Sequence, residues 1–342
     1  MSNSHNDNDL FADAARQVLA DQCTPHIVRA IEEHGNAAPE TAALWEQLEA
    51  TGLADAMLSE EQGGAGLGLG AVFGVLEQCG AHALPLPLAD TMLARALLAA
   101  ANLDKPEGRI VLARGARAGD DVTAALVRNA RVAQSVLLEV DGECRLLSLQ
   151  GAQLSAQALA LDAGVQWPAA QWQAAPVVPS ATDLRTAQAA VVAAQMAGAL
   201  KSVFDRTLQY ANERQQFGRP IGKFQAIQHQ LAVMSEHVFA SRMAAQLACS
   251  GDSVAPDRLR VATGKARCSQ AALAVSETAH AIHGAIGFTE EYDLQLFTRR
   301  LHAWRQTAGS ESFWHNVAGE ALLNAQGLTL DVIRKITDVE TI

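Results

Sequence analysis

Residues 210–234 read YANERQQFGRPIGKFQAIQHQLAVM, and this stretch decides the fold. An Ala-rich helical run enters it, a Phe-Gly-Arg-Pro-Ile-Gly turn breaks it, and a second helical run leaves from near Phe224. Glycine frees the backbone and proline fixes it, so together they punctuate helices. Arg214, Gln216, Gln225, Gln228, His229 and Gln230 crowd the break. A turn between apolar helices is an unusual place to concentrate long hydrogen-bonding side chains.

On the C-terminal side the apolar spacing predicts helical runs at about 184–212, 224–250, 256–283 and 299–326. Alanine supplies propensity and close packing, while Val, Leu, Ile and Met supply the stripe. Four such helices joined by turns make an antiparallel bundle. The loop HGAIGFTEEYDLQLF at 283–297 interrupts that regularity. Gly284 and Gly287 let backbone approach something closely there, with Glu290 and Glu291 beside them.

On the N-terminal side, from about Arg109 to Val178, the texture changes to short runs: RIVLARG, VTAALVR, QSVLLEV and CRLLSL. Gly, Asp and Asn bound them, which is strand punctuation. Asp141-Gly142 is a two-residue hairpin signal. Pro176 and Pro179, followed by Ser180, Thr182 and Asp183, mark the exit, with Thr182 or Asp183 as cap of the next helix. Residues from about 9 to 101, after a polar start expected to fray, read as short helices. In PETAALWEQLEATGL, Leu44, Leu48 and Leu53 form the stripe and Gly52 the stop. The glycine-rich EEQGGAGLGLG at 60–70 lacks the Gly-Lys-Ser/Thr ending of a P-loop and follows no strand, so it reads as a compact loop. ALPLPLADTMLARALLAA gives two prolines and another apolar helix.

At 342 residues the chain is long enough for two or three modules. A formal charge of −11 and a pI near 5.4 exclude nucleic acid as a partner, because phosphate backbones are met by clustered Lys and Arg. The reading finds no apolar stretch near the ~20 residues of a bilayer span. MSNSHNDNDL has no basic or apolar leader pattern, so a cytoplasmic location is expected. The five cysteines form no CxxC and read as reduced core thiols. His280 and His283, three apart on a helix, have no carboxylate or Cys to complete a ligand set, and no metal site is expected.

An N-terminal helical domain, a small middle β domain and a four-helix bundle, carrying ERQQFGRPIGKFQAIQHQLAVM, HAIHGAIGFTEEY and LWEQLEATGLADAMLSEEQGGAGLGLG in that setting, resemble the acyl-CoA dehydrogenase family. The resemblance covers nearly the whole chain and implies a mainly α fold with domains at 1–106, 107–180 and 181–342. It implies FAD as cofactor and an acyl-CoA substrate oxidised at its α and β carbons. A glutamate takes the α proton and the β hydrogen leaves as hydride to the flavin. A desolvated carboxylate beside a polarised thioester is needed because that C–H is weakly acidic. The flavin lies between the β domain of one subunit and the bundle of its neighbour, and a separate electron-transfer flavoprotein is the implied acceptor. Matching residue by residue, Arg214, Phe217 and Gln225 fall where the family contacts the neighbour's FAD, and Gly284 and Gly287 fall in the loop near its adenine-bearing half. Read without the family, Arg214 is a surface partner of Glu213 or a nearby acid.

The chain departs from the family in three places. The glutamate of the usual Tyr-Glu-Gly-Thr run aligns with Ala308, and the alternative base position on the first bundle helix aligns with Gln188. The Thr-Glu-Pro and Ala-Gly-Ser-Asp run that cradles flavin has no counterpart between Arg109 and Val178. The usual Gln-x-x-Gly-Gly appears as Ala281-Ile282-His283-Gly284-Ala285, and Arg300 stands where aspartate is common. Base and cradle are lost while the bundle residues are kept. The pattern resembles the short subunit, without catalytic glutamate, of heteromeric α2β2 acyl-CoA dehydrogenases that act on bulky, steroid-type CoA thioesters, sharing FAD with a base-bearing partner chain. Two alternatives stay open: a self-sufficient homo-oligomer with its base relocated to Glu311, and a non-catalytic assembly protein. Trp304, Phe313 and Trp314 read either as lining of a wide acyl pocket or as bundle core.

Overall fold

A computed structural model of the chain describes residues 3–179 and 183–338. Ser180 and Thr182, the latter one of the two cap candidates, lie outside the described residues. The chain is mainly helical with a small β region, as the sequence predicts. It divides into two compact units. One holds Met1–Val75, Leu84–Gln188 and Gly251–Ala255; the other holds Leu76–Ala83, Ala189–Ser250 and Pro256–Ile342.

The first unit opens with α1 (Asn3–Gln22), α2 (Pro25–His34) and α3 (Pro39–Ala50). Helix already runs from Asn3, so the polar start is helical where fraying was expected. Thr24 caps α2 ahead of Pro25, and α3 buries Leu44 and Leu48 before Gly52 turns left-handed at φ 73°. The glycine-rich loop is compact, and its amides are spent internally. Gly64, Gly66 and Leu67 donate to Ser59, Leu58 and Ala56, and Gly70 donates to Gly251. That leaves little to cradle a phosphate. Helix α4 (Phe73–Ala81) follows, then α5 (Leu88–Ala100).

The β region packs into two small sheets. β1 (Ile110–Arg114) runs parallel to β4 (Ser135–Val140), which pairs antiparallel with β5 (Glu143–Ser148). β2 (Ala116–Ala118), β3 (Asp121–Val127), β7 (Ala163–Trp167) and β6 (Gln153–Ala156) form an antiparallel sheet in that order. The Asp141-Gly142 turn takes positive φ at both residues, 52° and 82°, which suits the strand twist. Val111, Val122, Leu138, Trp167 and Trp172 build the core between them. A short helix α6 (Ala169–Ala174), unmarked in the sequence, ends on Arg145, which donates to the carbonyls of Trp172, Gln173 and Ala175.

β1 is the outer strand of its sheet, and its free edge is closed by side chains. Thr91 Oγ1 both accepts from Ile110 N and donates to Ile110 O, each at 3.0 Å. Gln188 Nε2 donates to Leu112 O at 2.8 Å, and Asp90 faces Leu112 N at 3.5 Å. Unpaired backbone on a buried strand is costly, so these polar residues act structurally. Burial raises the Asp90 carboxyl above its usual range, against the opposing pull of Arg128 and Leu112 N.

Helix α7 (Leu184–Glu213) starts in the first unit, where Asp183 caps it through Arg185 N. It is long and apolar enough to cross a membrane by composition, contrary to the expectation that no such stretch exists, but 83% of that window is buried within the protein. The second unit continues with β8 (Gln215–Gln216), β9 (Arg219–Pro220), α8 (Gln225–Ala248) and α9 (Arg258–His283). The expected fourth run, 299–326, is instead two helices, α10 (Leu294–Gln306) and α11 (Glu311–Asn324), followed by α12 (Thr329–Thr337). The chain breaks at Ala308 and Gly309, both at positive φ, and Ser310 caps α11 through Phe313 N. Trp304 and Trp314 are buried, which fits the core reading.

Inside this unit α4 crosses α7 at two glycines. A β-carbon on Gly80 would lie 1.8 Å from the Gln195 carbonyl oxygen, and one on Gly198 would lie 1.9 Å from that of Glu77. We expect Gly198→Ala to force the helices apart and lower stability by about 1–3 kcal/mol or more. A urea midpoint equal to that of the parent chain would show that the crossing relaxes freely.

Candidate functional site

The break after α7 is a small hairpin. Arg214 N donates to Tyr210 O, closing the last turn, and Arg214 O receives Ile221 N, each at 2.8 Å. Between them β8 and β9 pair around a Phe217-Gly218 turn with φ of 52° and 79°. The tip projects outward: Phe217 is 91% exposed, its ring edge-on to Phe224 at 6.1 Å. Arg219 lies 4.2 Å over the Phe224 ring. A large aromatic held in the left-handed region and left in water is costly on both counts.

Arg214 is exposed, and its guanidinium makes no hydrogen bond or ion pair among the described residues. The neighbouring Glu213 accepts from Gln209 instead, so the surface pair expected from a bland reading is absent there. Gln225 is exposed at the first position of α8, whose preceding residue Phe224 offers no side-chain acceptor to the helix amides. Arg214, Arg219 and Lys223 thus lie in the hairpin and turn that lead into an uncapped helix N-terminus, in a chain of net charge −11. That combination suits an anionic group brought from outside.

The glycine loop lies beside this surface. Tyr210 stacks on His283 at 4.4 Å and donates through its hydroxyl to His283 O at 3.4 Å, tying the end of α7 to the end of α9. Gly284 ends α9 at φ 65°, is exposed, and has open space where a β-carbon would stand. Gly287 differs: it is buried, and a β-carbon would come within 3.2 Å of His280 Nδ1 and 3.0 Å of His283 Cβ. Packing against its own histidines accounts for that glycine. His280 stacks on Phe288 at 4.2 Å, and Tyr292 closes the cluster against His283 and Tyr210. Arg300 is buried and donates to Leu296 O at 3.0 Å.

The three base positions are all accounted for. Ala308 occupies the α10–α11 break at φ 56° with only a methyl group. Gln188 is buried and committed to Leu112. Glu311 is gripped by Arg305, whose Nε lies 3.0 Å from each carboxylate oxygen and whose Nη2 also reaches Oε1. That guanidinium holds the Glu311 carboxyl below its usual range, the opposite of what a base for a weak carbon acid needs. The sequence reading missed Lys265. It is fully buried, and its Nζ donates to Ser269 Oγ, Arg305 O and Gly309 O at 3.0, 3.0 and 3.1 Å. A lone Lys among small residues on α9 gives no cue to that role.

Two measurements follow. Burial holds His283 below the usual histidine range, partly offset by the Ala279 carbonyl, and holds His280 down together with His283 and His302. Unfolding returns both to about 6.5, so the unfolded chain binds protons first as pH falls. Their contribution is complete above about pH 6.5 and is lost as the pH falls through their lowered folded-state values. Thermal melts from about pH 7 to about pH 5 should therefore fall less steeply in His283→Gln; parallel curves would remove His283 as a contributor. For Glu311→Gln we expect lower stability, through loss of the Arg305 pair, and no change in any acyl-CoA oxidation the chain takes part in. A kcat reduced a hundredfold or more, to take a rough scale for losing a general base, would make Glu311 the base after all.

Residues 5–103 match the family described as acyl-CoA dehydrogenase, N-terminal domain, and residues 181–323 match acyl-CoA dehydrogenase, C-terminal domain. The acyl-CoA dehydrogenase IpdE2 of Mycolicibacterium smegmatis is 31% identical over 323 residues, covering 89% of this chain and 94% of the relative. Its namesake in Mycobacterium tuberculosis is 31% identical over 304 residues, covering 87% and 91%. Among solved structures, a variant of the Tcur3481-Tcur3483 steroid ACAD superposes with a TM-score of 0.81 at 24% identity, covering 94% of this chain and 98% of that one. A chain of the ChsE4-ChsE5 complex from Mycobacterium tuberculosis gives 0.79 at 20% identity, covering 96% and 99%. Matched in both terminal domains and along nearly the full length of IpdE2, the chain belongs to the acyl-CoA dehydrogenase family.

Proposed function

We propose that this chain is the subunit without a catalytic glutamate in a heteromeric, FAD-dependent acyl-CoA dehydrogenase, and that it lends a half-site to a flavin held mainly by a base-bearing partner chain. The observation that carries this is a contrast within one molecule. Arg214, which the resemblance would turn toward a neighbour, is exposed and makes no hydrogen bond or ion pair among the described residues, and Phe217 beside it is 91% exposed, whereas the positions of the base hold a methyl group, a committed amide and a committed carboxylate. Exposed Phe239 and Met243, four residues apart on one face of α8, add apolar surface on the helix that leaves the same hairpin. The family normally uses FAD.

The residues fit such a group on the bundle side. Arg214 offers a fork of donors to a pyrophosphate, the open amides at the start of α8 and the Gln225 side chain add donors, and Phe217 covers a flat apolar face against water. They fit poorly on the β side, where the free edge of β1 is closed by Thr91, Asp90 and Gln188. When bound, FAD supplies the redox chemistry. This chain orients it and excludes water, and the partner's carboxylate takes the α proton. The substrate in this reading is a CoA thioester with a bulky, steroid-derived acyl group, supported by the steroid ACAD among the similar folds. An electron-transfer flavoprotein is the acceptor. The parts 1–106, 107–180 and 181–342 serve as N-terminal, β and bundle domains, and the assembly is a heterotetramer.

Purification alone and together with a glutamate-bearing acyl-CoA dehydrogenase chain from the same organism tests the reading. We expect the lone chain to be colourless and the pair to be yellow and active. In the pair, Arg214→Ala should weaken FAD retention by about tenfold or more, the scale of a lost charge-assisted contact. A lone chain that carries full FAD and oxidises acyl-CoA would sink the proposal. A pair whose FAD content and turnover ignore Arg214→Ala would favour the non-catalytic assembly role.

A further inference from the structure

A sheet edge presents a row of backbone N–H and C=O groups that another strand can take up, so native chains cover their edges or charge them. The two sheets of the first unit end in β1, β5, β2 and β6. β1 is closed by Thr91, Asp90 and Gln188. β5 is covered by the segment after α6, where Leu146 N donates to Pro176 O at 3.3 Å and Val178 N donates to Cys144 O at 2.8 Å. β2 is short and charged: Arg117 stands in its middle, 5.0 Å over the Trp172 ring, with Arg114 before it and Asp120 after it.

β6 has none of these devices. Gln153, Leu154, Ser155 and Ala156 are all exposed. The strand pairs with β7 on one side, from Gln153 opposite Gln166 to Ala156 opposite Ala163, and among the described residues no other segment bonds to its backbone. From Gln150 to Leu161 there is neither a charged residue nor a proline, in a chain that is 18% charged. The strand is also firmly seated. Ser155 Oγ donates to Gly164 O at 3.3 Å, Gln157 Nε2 donates to Ala125 O at 3.0 Å, and a β-carbon on Gly164 would lie 2.5 Å from Ser155 Oγ. An extended edge is therefore held ready, and nothing on it repels an incoming strand.

We propose that β6 docks a second copy of this chain, the two β6 strands pairing antiparallel about a two-fold axis at Leu154. A two-fold axis normal to the sheet keeps every side chain on its own face, so residues of like parity meet. Leu154, 42% exposed, then meets Leu154 of the other copy, and Gln153 meets Ser155. The sequence is self-complementary in this register: an apolar pair at the centre, neutral hydrogen-bonding groups beside it and no like charges opposed. Each copy carries a net charge of −11, so the uncharged edge is a place where two copies can touch without opposing charges at the contact. Strands this short bury less than a standard interface, which places the dissociation constant at roughly 0.1–1 mM. The contact stands independently of the flavin half-site.

Sedimentation velocity of the purified lone chain from about 10 µM to about 1 mM tests it. We expect the parent to associate over that range, and more strongly as salt screens the mutual repulsion of the copies. Leu154→Lys sets two ammonium groups against each other and should weaken association at least about tenfold, while Ala116→Lys on β2 should leave it unchanged. Both positions are exposed, so level melting temperatures report intact folding. In Leu154→Cys the paired α-carbons would lie about 4.5–5.5 Å apart, within disulfide reach. Mild oxidation should then yield a covalent dimer that neither the parent nor Ala116→Cys gives. A parent that stays monomeric to about 1 mM, an association that ignores Leu154→Lys, or crosslinking no faster in Leu154→Cys than in Ala116→Cys would overturn the proposal.

Discussion

The rest of the second unit depends on how closely α7 is approached. Gly80 of α4 and Gly198 of α7 each sit against the other helix's backbone, at separations no β-carbon tolerates. Ser202 Oγ then donates to Ala81 O at 2.7 Å, and Arg242 of α8 grips Glu77 through Nε and Nη2 at 2.7 and 3.2 Å. With α7 packed that tightly along its Ala-rich length, its C-terminal turn is fixed. The hairpin at Gln215–Pro220 grows from that fixed end, closed by the Arg214 and Ile221 backbone pair. Exposed Arg214 and Phe217 are thereby presented on a hydrogen-bonded hairpin. Positioned donors cost less entropy to engage than donors on a loose loop.

Much of this was legible in the sequence. The Phe-Gly-Arg-Pro-Ile-Gly turn and the Asp141-Gly142 hairpin are readable because positive φ selects for glycine and its neighbours. The helical stripes are readable because burial repeats every three or four residues. The break between α10 and α11 carried its own cue, a Gly309-Ser310 pair that is both a helix stop and a cap, inside a run otherwise continuous in its apolar pattern. β6 was not readable: all four of its residues are exposed, so no alternation marks it. Nor was α6, a six-residue helix whose stability comes from Arg145, a residue of β5 distant in sequence.

At the candidate site the division is similar. Arg214, Phe217 and Gln225 are exposed, while Gly287 turns inward for packing. Gln188 could be named as a lost base position from its alignment, but its actual work, closing the β1 edge, depends on a contact 76 residues away. The Arg305–Glu311 pair spans the unforeseen break, so no helical spacing rule exposes it. Side chains defined by long-range geometry are where a linear reading stops.

The α10–α11 break explains how chemistry and scaffold separate in this protein. The backbone at Ala308 and Gly309 holds positive φ, and its anchor lies outside residue 308's own side chain. Lys265 pins the carbonyls of Arg305 and Gly309 from α9, and Arg305 in turn grips Glu311 at the start of α11. A buried ammonium satisfied by carbonyls holds the loop as long as those oxygens stay in place, since leaving them unpaired would cost more than the loop gains by moving. A carboxylate at position 308 contributes nothing to that anchor. In the proposed reading, a methyl group in place of that carboxylate removes a proton acceptor and leaves this anchor intact, so the structural demands on residues 210–234 do not depend on a base at position 308.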